Sequence, residues 1–209
     1  LSTAPAQQPL HVVQELHLTG GYVTALTWSP TGDQLAVGGM LGDLVLVDPA
    51  DAQPARTVRR PTGPTDDLNA TIGSIGWTAD GLRLVVATRT GTLLLDAADG
   101  AVLAAREAVI SCAVFVPGTK DVMAIAANGD VHRLDGDTLR SITTISMPAG
   151  SPAGRVAVSP TAEQLVVGTT HRCQLLVFDL ATGRQLREIP HDPGAVQGLS
   201  WPQGAAEPC

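Results

Sequence analysis

Few side chains in this sequence stand where chemistry would need them. Ser74 lies in Gly73-Ser74-Ile75-Gly76, but it follows a glycine directly, and the turn that projects a nucleophilic serine requires a residue between the two. Asp96-Ala97-Ala98-Asp99-Gly100 sets two carboxylates near a glycine, without the alternating oxygen ligands or the later glutamate of a calcium loop. Its composition is that of a turn. The five histidines, His11, His17, His132, His171 and His191, show no metal-ligand spacing and read as surface or capping groups. Cys112, Cys173 and Cys209 include no CxxC pair, so neither a disulfide framework nor a zinc site is expected, and Cys112 reads as a small core residue. The expectation is a protein that is not an enzyme, with no catalytic residue, cofactor or metal.

Composition narrows the class further. The chain has 209 residues, 44% of them hydrophobic, with 22 Gly, 15 Pro and only six aromatics. It is too apolar for a disordered chain and too rich in Gly and Pro for a helical bundle. Its core must be built from Val, Leu, Ile and Ala. Thirteen basic residues against 20 acidic ones give a net charge of −7, which offers a phosphate backbone no broad attractive face. Nucleic acid is therefore not an expected partner. Lys120 is the single lysine beside 12 arginines, a balance typical of a GC-rich genome. No run approaches the ~20 apolar residues of a membrane helix: Asp43 interrupts the most apolar region, and Pro117 ends the run from Ala108. A soluble, cytoplasmic protein without a membrane partner is expected. The chain opens on Leu1 with no signal-peptide pattern, which reads as a fragment of a longer polypeptide.

The elements that must position any site come from a repeat. Trp28, Trp77, Phe115, Val158 and Trp201 recur at intervals of 49, 38, 43 and 43, and the first four are followed by Asp48, Asp96, Asp135 and Asp179 at 20, 19, 20 and 21 residues. Within each unit the apolar pattern has period two, the mark of strands. In the first, Val23, Ala25 and Thr27 are expected to face one way and Leu26 and Trp28 the other. Ser29-Pro30-Thr31-Gly32, Thr78-Ala79-Asp80-Gly81, Val116-Pro117-Gly118-Thr119 and Ser159-Pro160-Thr161-Ala162 punctuate the pattern as hairpin turns. Second turns contain Gly42-Asp43, Gly91-Thr92 and Asn128-Gly129. Each unit thus reads as a four-stranded antiparallel meander, strands a to d, with two apolar faces that only stacking can bury. Such sheets around an axis make a β-propeller.

These residues resemble the WD-repeat family. The resemblance rests on Leu26-Thr-Trp-Ser-Pro-Thr-Gly32, Ile75-Gly-Trp-Thr-Ala-Asp-Gly81, Leu35-Ala-Val-Gly38, the endings Leu46-Val-Asp48, Leu94-Leu-Asp96 and Val177-Phe-Asp179, and the turn Asp179-Leu-Ala-Thr-Gly183. It spans roughly residues 10 to 203. The Trp-Asp dipeptide is absent, and only His191-Asp-Pro-Gly-Ala-Val196 is similar to the Gly-His segment, so the family's hydrogen-bond network cannot form as a full set. The resemblance implies a structural role for Trp28, Trp77, Phe115, Trp201, Asp48, Asp96, Asp135, Asp179 and His191. All of 1–209 is expected to be part of one all-β propeller. Its blades fall at about 23–58, 72–107, 110–145 and 154–189, with a d strand at 11–18 and the start of a further blade at 196–203. Two to four more blades of ~40–45 residues are expected from the same polypeptide beyond Cys209.

Recognition is expected where the d–a and b–c connections emerge, because the irregular stretches gather there. The candidate protein-contact residues are Arg59, Arg60, Asp66 and Asp67 of the long 59–69 loop, with Arg89, His171 and Arg172. The favoured function is a protein-interaction scaffold within a larger polypeptide or assembly. Composition and resemblance together point to cytoskeletal or ciliary assemblies and equally to a regulatory protein of high-GC bacteria. A different class, an enzyme or ligand-binding propeller with its site in the central channel, would draw on Thr24, Ser74, Ser111 and Gln197 of the inner strands, which are poor ligands and bases. A spacer within a tandem propeller is a third.

Overall fold

The computed structural model describes residues 21–49, 56–59, 71–107, 110–170, 174–190, 196 and 198–201. Every regular element among them is a strand, and the strands form four antiparallel sheets of four, each in simple sequence order. Blade 1 consists of β1 (Val23–Trp28), β2 (Leu35–Gly39), β3 (Leu44–Val47) and β4 (Arg56–Arg59). Blade 2 holds β5 (Ile72–Trp77), β6 (Arg83–Thr88), β7 (Thr92–Asp96) and β8 (Val102–Arg106). Blade 3 holds β9 (Ile110–Phe115), β10 (Val122–Ala126), β11 (Val131–Leu134) and β12 (Ser141–Ile145). Blade 4 holds β13 (Ala153–Val158), β14 (Gln164–Thr169), β15 (Gln174–Asp179) and β16 (Gln185–Pro190). This is the all-β meander architecture expected from the period-two pattern. The d strand expected at 11–18 lies outside the described residues; of the blade start expected at 196–203, the described Val196 and Gly198–Trp201 are not in a strand, and the rest lies outside the described residues.

Pairing fixes equivalent positions across blades. Trp28 opposes Leu35 as Trp77 opposes Leu84, Phe115 opposes Val122, and Val158 opposes Leu165. All four inner strands carry a register shift at the same place, across Thr24, Gly73, Ser111 and Gly154. The shift corrects the expected facing of β1. One extra residue reverses the alternation, so Val23 leaves the face of Ala25 and Thr27 and joins Leu26 and Trp28, just as Ile72 shares a cluster with Ile75 and Trp77.

The core lies between blades, since each sheet has two apolar faces. Ala36, Leu44 and Leu46 of blade 1 pack with Ile72, Ile75, Trp77, Leu84 and Val86 of blade 2. Val85 and Ala87 on the other face of blade 2 meet Ala113, Val122 and Ala124, with Phe115 against them. Met123, Ile125 and Val131 then meet Val156, Val158, Leu165, Val167 and Phe178. Cys112 is a buried free thiol in this last cluster. The inner strands touch in series, β1 to β5 to β9 to β13, and no comparable contact joins β13 back to β1.

Candidate functional site

At the end formed by the a–b and c–d turns, short polar side chains hold the backbone. Ser29 Oγ accepts the Gln34 amide at 3.0 Å and donates to Asp33 Oδ1 at 2.7 Å; Thr78 Oγ1 accepts the Arg83 amide at 2.9 Å and donates to Asp80 Oδ1 at 2.6 Å. The hydroxyls of Thr31 and Ser29 hold the Asp33 carboxyl below its ordinary range, and the Thr78 hydroxyl with the Leu82 amide does the same to Asp80. The aspartates that close the c strands do parallel work. Asp179 Oδ1 accepts the amide and hydroxyl of Thr182, Asp135 Oδ1 those of Thr138, and Asp96 Oδ1 the Ala98 amide. These Thr donors lower the carboxyl pKa of Asp179 and Asp135. His132 Nδ1 lies 3.2 Å from the Ser141 hydroxyl and 3.0 Å from that of Thr144, joining β11 to β12.

Charge crosses the seam between blades 2 and 3 at this end. Arg83 Nη1 is 2.8 Å from Asp137 Oδ1, and Lys120 Nζ contacts Asp137 and, at 3.5 Å, Asp135. Asp137 is held below the usual carboxylate range, first by its hydrogen bond from Lys120 and then by that from Arg83. The Lys120 ammonium is correspondingly raised, Asp137 foremost. On the outer rim, Arg56 of blade 1 donates to the Ala97 carbonyl at 2.7 Å and to that of Ala98, and Arg106 of blade 2 donates to the Leu139 carbonyl at 3.0 Å. Neither arginine stands out in the sequence. Their signal is positional only: each belongs to a d strand beside the next blade's c–d turn.

The inner-strand hydroxyls prove to be stitches between neighbouring blades. Thr24 Oγ1 donates to the Ile72 carbonyl at 2.7 Å, and Ser74 Oγ donates to the Ala113 carbonyl at 2.9 Å while accepting the Ala113 amide at 3.0 Å. Their hydrogen-bonding capacity is used by backbone. Ser111 instead lines a cavity of about 500 Å³ with Gly129, Thr170, Val196 and Arg155. Arg155, which lines this cavity, is not among the sequence candidates although the repeat aligns it with Ala25, Ser74 and Cys112. A cation at a position otherwise held by small residues is the signal that could have found it.

The opposite, b–c end holds a second cavity of about 450 Å³ between blades 1 and 2. Gly42 of the blade 1 turn, Thr88, Thr90 and Gly91 of the blade 2 turn, and Ile72, Val86, Leu93 and Ala105 line it, with Arg106 and Glu107 at the end of β8. Arg89 is exposed within that same turn. Of the other candidate contacts, Arg59 pairs through its backbone with Leu44, whereas Arg60, Asp66, Asp67, His171 and Arg172 lie outside the described residues, as do His191 and Gln197. Among the described residues no group of three or more His, Cys, Asp or Glu gathers, and no helix is long and apolar enough to cross a membrane.

Four meanders of four strands, joined in series through their inner strands and buried face to face, decide the architecture. The chain has the β-propeller fold. It superimposes on the crystal structure of the Myceliophteria thermophila Cps50 (Swd1) β-propeller domain with a TM-score of 0.72 and 17% sequence identity. The match covers 89% of this chain and 62% of that one, so the chain spans under two thirds of the propeller it resembles. No family model and no curated protein sequence matches the chain.

Proposed function

We propose that this chain is part of a WD-repeat propeller that works as a non-enzymatic scaffold for other proteins, within a larger polypeptide or assembly. The observation that carries this reading is at the b–c end. A face-packed stack presents a 450 Å³ cavity walled in part by Ile72, Val86, Leu93 and Ala105, with an exposed Arg89 in its rim turn. Apolar concavity with a few charged groups at its edge suits a partner's side chains. The inner-strand hydroxyls Thr24 and Ser74 are taken up by neighbouring blades, which supports the scaffold over a channel-centred enzyme.

The reading extends to the domain plan. The 209 residues belong to one ring with further blades from the same polypeptide, and the protein works in the cytoplasm, its finer setting a cytoskeletal or ciliary assembly. Quantitative proximity labelling in the source cell tests the contact surface. Arg89→Glu, and separately a Gly-Ser replacement of 60–69, are expected to remove a common subset of partners. An unchanged partner set from both variants would overturn the assignment of this end. Metal and cofactor content of the purified full-length protein tests the enzyme alternative, for which a stoichiometric bound group would be decisive.

A further inference from the structure

The cavity between blades 3 and 4 sets one charge against a small, neutral wall. Among its described lining residues only Arg155 is charged, and Ser111 and Thr170 carry hydroxyls. The third place on the inner strand is held in the other blades by Ala25, Ser74 and Cys112, each spent on blade packing. Ala25 packs on the cluster between blades 1 and 2, Ser74 bonds the Ala113 backbone, and Cys112 is buried in the cluster between blades 3 and 4. Arg155 is too long and too polar for that role. Its Nη1 donates to the carbonyl of Gly154, itself a lining residue, at 2.9 Å, which sets the charge beside the cavity. A guanidinium fork serves several acceptors at once.

Backbone hydrogen bonds hold the wall in place. The Ala153 amide donates to the Gly129 carbonyl at 3.0 Å, tying the b–c turn of blade 3 to the start of β13, and the Thr170 amide donates to the Pro152 carbonyl at 3.1 Å. Ser111 stands at the register shift of β9. Thr24, at the same shift in β1, spends its hydroxyl on the Ile72 carbonyl, whereas Ser111 is exposed at the cavity. Charge is also sorted between the two ends of the molecule. Asp33, Asp80, Asp135, Asp137 and Asp179 all lie in the a–b and c–d turns at the far end. Of the described carboxylates in or next to the b–c turns, Asp43 is buried, and Asp130 already accepts the Asn128 side-chain amide at 2.8 Å and the Met147 amide at 2.9 Å. Glu107 borders the other cavity. An acidic segment that approaches the b–c end therefore meets Arg89 and Arg155 without passing the turn carboxylates. One guanidinium beside two neutral hydroxyls matches a monoanion with two oxygens in a plane; a phosphate group, with about two charges, calls for several arginines.

We propose that this cavity receives one carboxylate from an acidic segment of a partner protein, with Arg155 pairing with its oxygens and the Ser111 and Thr170 hydroxyls donating beside it. This deepens the scaffold reading and rests on it. Peptide-display selection on the intact protein tests it, with random short peptides shown both internally and with a free C-terminus. One place in the selected peptides is expected to be Asp, Glu or the terminal carboxylate, and the two formats tell side chain from terminus. Arg155→Ser installs the residue that blade 2 carries at this place. It is expected to abolish the acidic preference and to weaken a selected peptide by about tenfold or more, with the thermal midpoint unchanged. Arg155→Lys keeps the charge without the planar fork and should fall between the two. Changing the peptide carboxylate to its amide should cost as much as Arg155→Ser, and the two changes together little more than either alone. The same cycle with Arg155→Lys gives the answer even where Arg155→Ser weakens the fold. Selection of no carboxylate, an acidic preference that survives Arg155→Ser, or full additivity in the cycle overturns the inference. So does tighter binding when phosphoserine replaces the acidic residue. Failure here leaves the partners lost on Arg89→Glu untouched, whereas a wrong scaffold reading shows as no partners in the labelling while purified peptides still bind at Arg155.

Discussion

Two residues carry backbone conformations that their side chains resist. Ala162 has φ 57° in the a–b turn where Gly32, Gly81 and Gly118 stand in the other blades, and Leu139 has φ 55° in the c–d turn where Gly100 and Gly183 stand. The left-handed region costs a non-glycine residue roughly 1 kcal/mol. Ala162→Gly is expected to change stability little or to raise it by up to about 1 kcal/mol, read from urea denaturation, with relief of φ opposing the entropy that glycine adds to the unfolded chain. Leu139→Gly should instead destabilise by about 2 kcal/mol or more, because Leu139 is buried and its packing is lost with the strain. Proton equilibria give a second handle. The folded Asp179 carboxyl lies below its ordinary value of 3.8, chiefly through the Thr182 hydroxyl. A depressed carboxylate adds stability that is full above 3.8 and is lost as pH falls through the lower folded value. Thr182→Val is expected to move the Asp179 titration, followed by carboxyl carbon NMR, upward toward 3.8.

Strands show how far pattern reading reaches. Alternation and turn residues locate the meanders, because Ser-Pro-Thr-Gly and Asn-Gly sit between runs of Val and Leu. They do not reveal the shift at Thr24, since inserting one residue leaves composition untouched and only reverses which neighbours are buried. Leu139 and Ala162 escape for the reverse reason: the turn is legible from its flanks, while the one position that demands a left-handed residue carries the wrong type. Of the candidate site, Arg89 was legible as an irregularity in a connection, whereas Arg155 required knowing that β13 faces a cavity. Inner-strand spacing has a measurable consequence. Gly38→Ala would drive a Cβ to 2.6 Å from Ile72 Cγ2, and overpacking of this kind is expected to cost about 1–3 kcal/mol by calorimetry. Outer strands differ in charge: β4 carries Arg56 and Arg59, β8 Arg106, and β16 Arg187 and Glu188, but β12 carries none. Uncharged edges recruit other strands. Thr143→Lys, on the exposed part of β12, should slow heat-induced aggregation measured by light scattering without lowering the unfolding free energy by more than about 0.5 kcal/mol.

At the scale of the molecule, equivalent tryptophans have unequal weight. Trp77→Ala should cost the 209-residue chain about 3–5 kcal/mol, because it empties the packed interface between blades 1 and 2. Trp28→Ala in the same chain should cost about 0.5 kcal/mol or less, as its ring is more than half exposed. Thermal unfolding of the two variants side by side measures the contrast.

The open face of blade 1 also has a history in time. Every described interface joins blades adjacent in sequence, so each can form as soon as the next forty or so residues leave the ribosome, with little loop to close. The blade that bears the Leu26–Trp28 face is the first of the four described, and no described blade covers that face. It is made before the other three. While blades 2 to 4 are being made, the nascent chain displays two large apolar side chains on one strand face, the kind of surface that chaperones hold and that misassembly exploits.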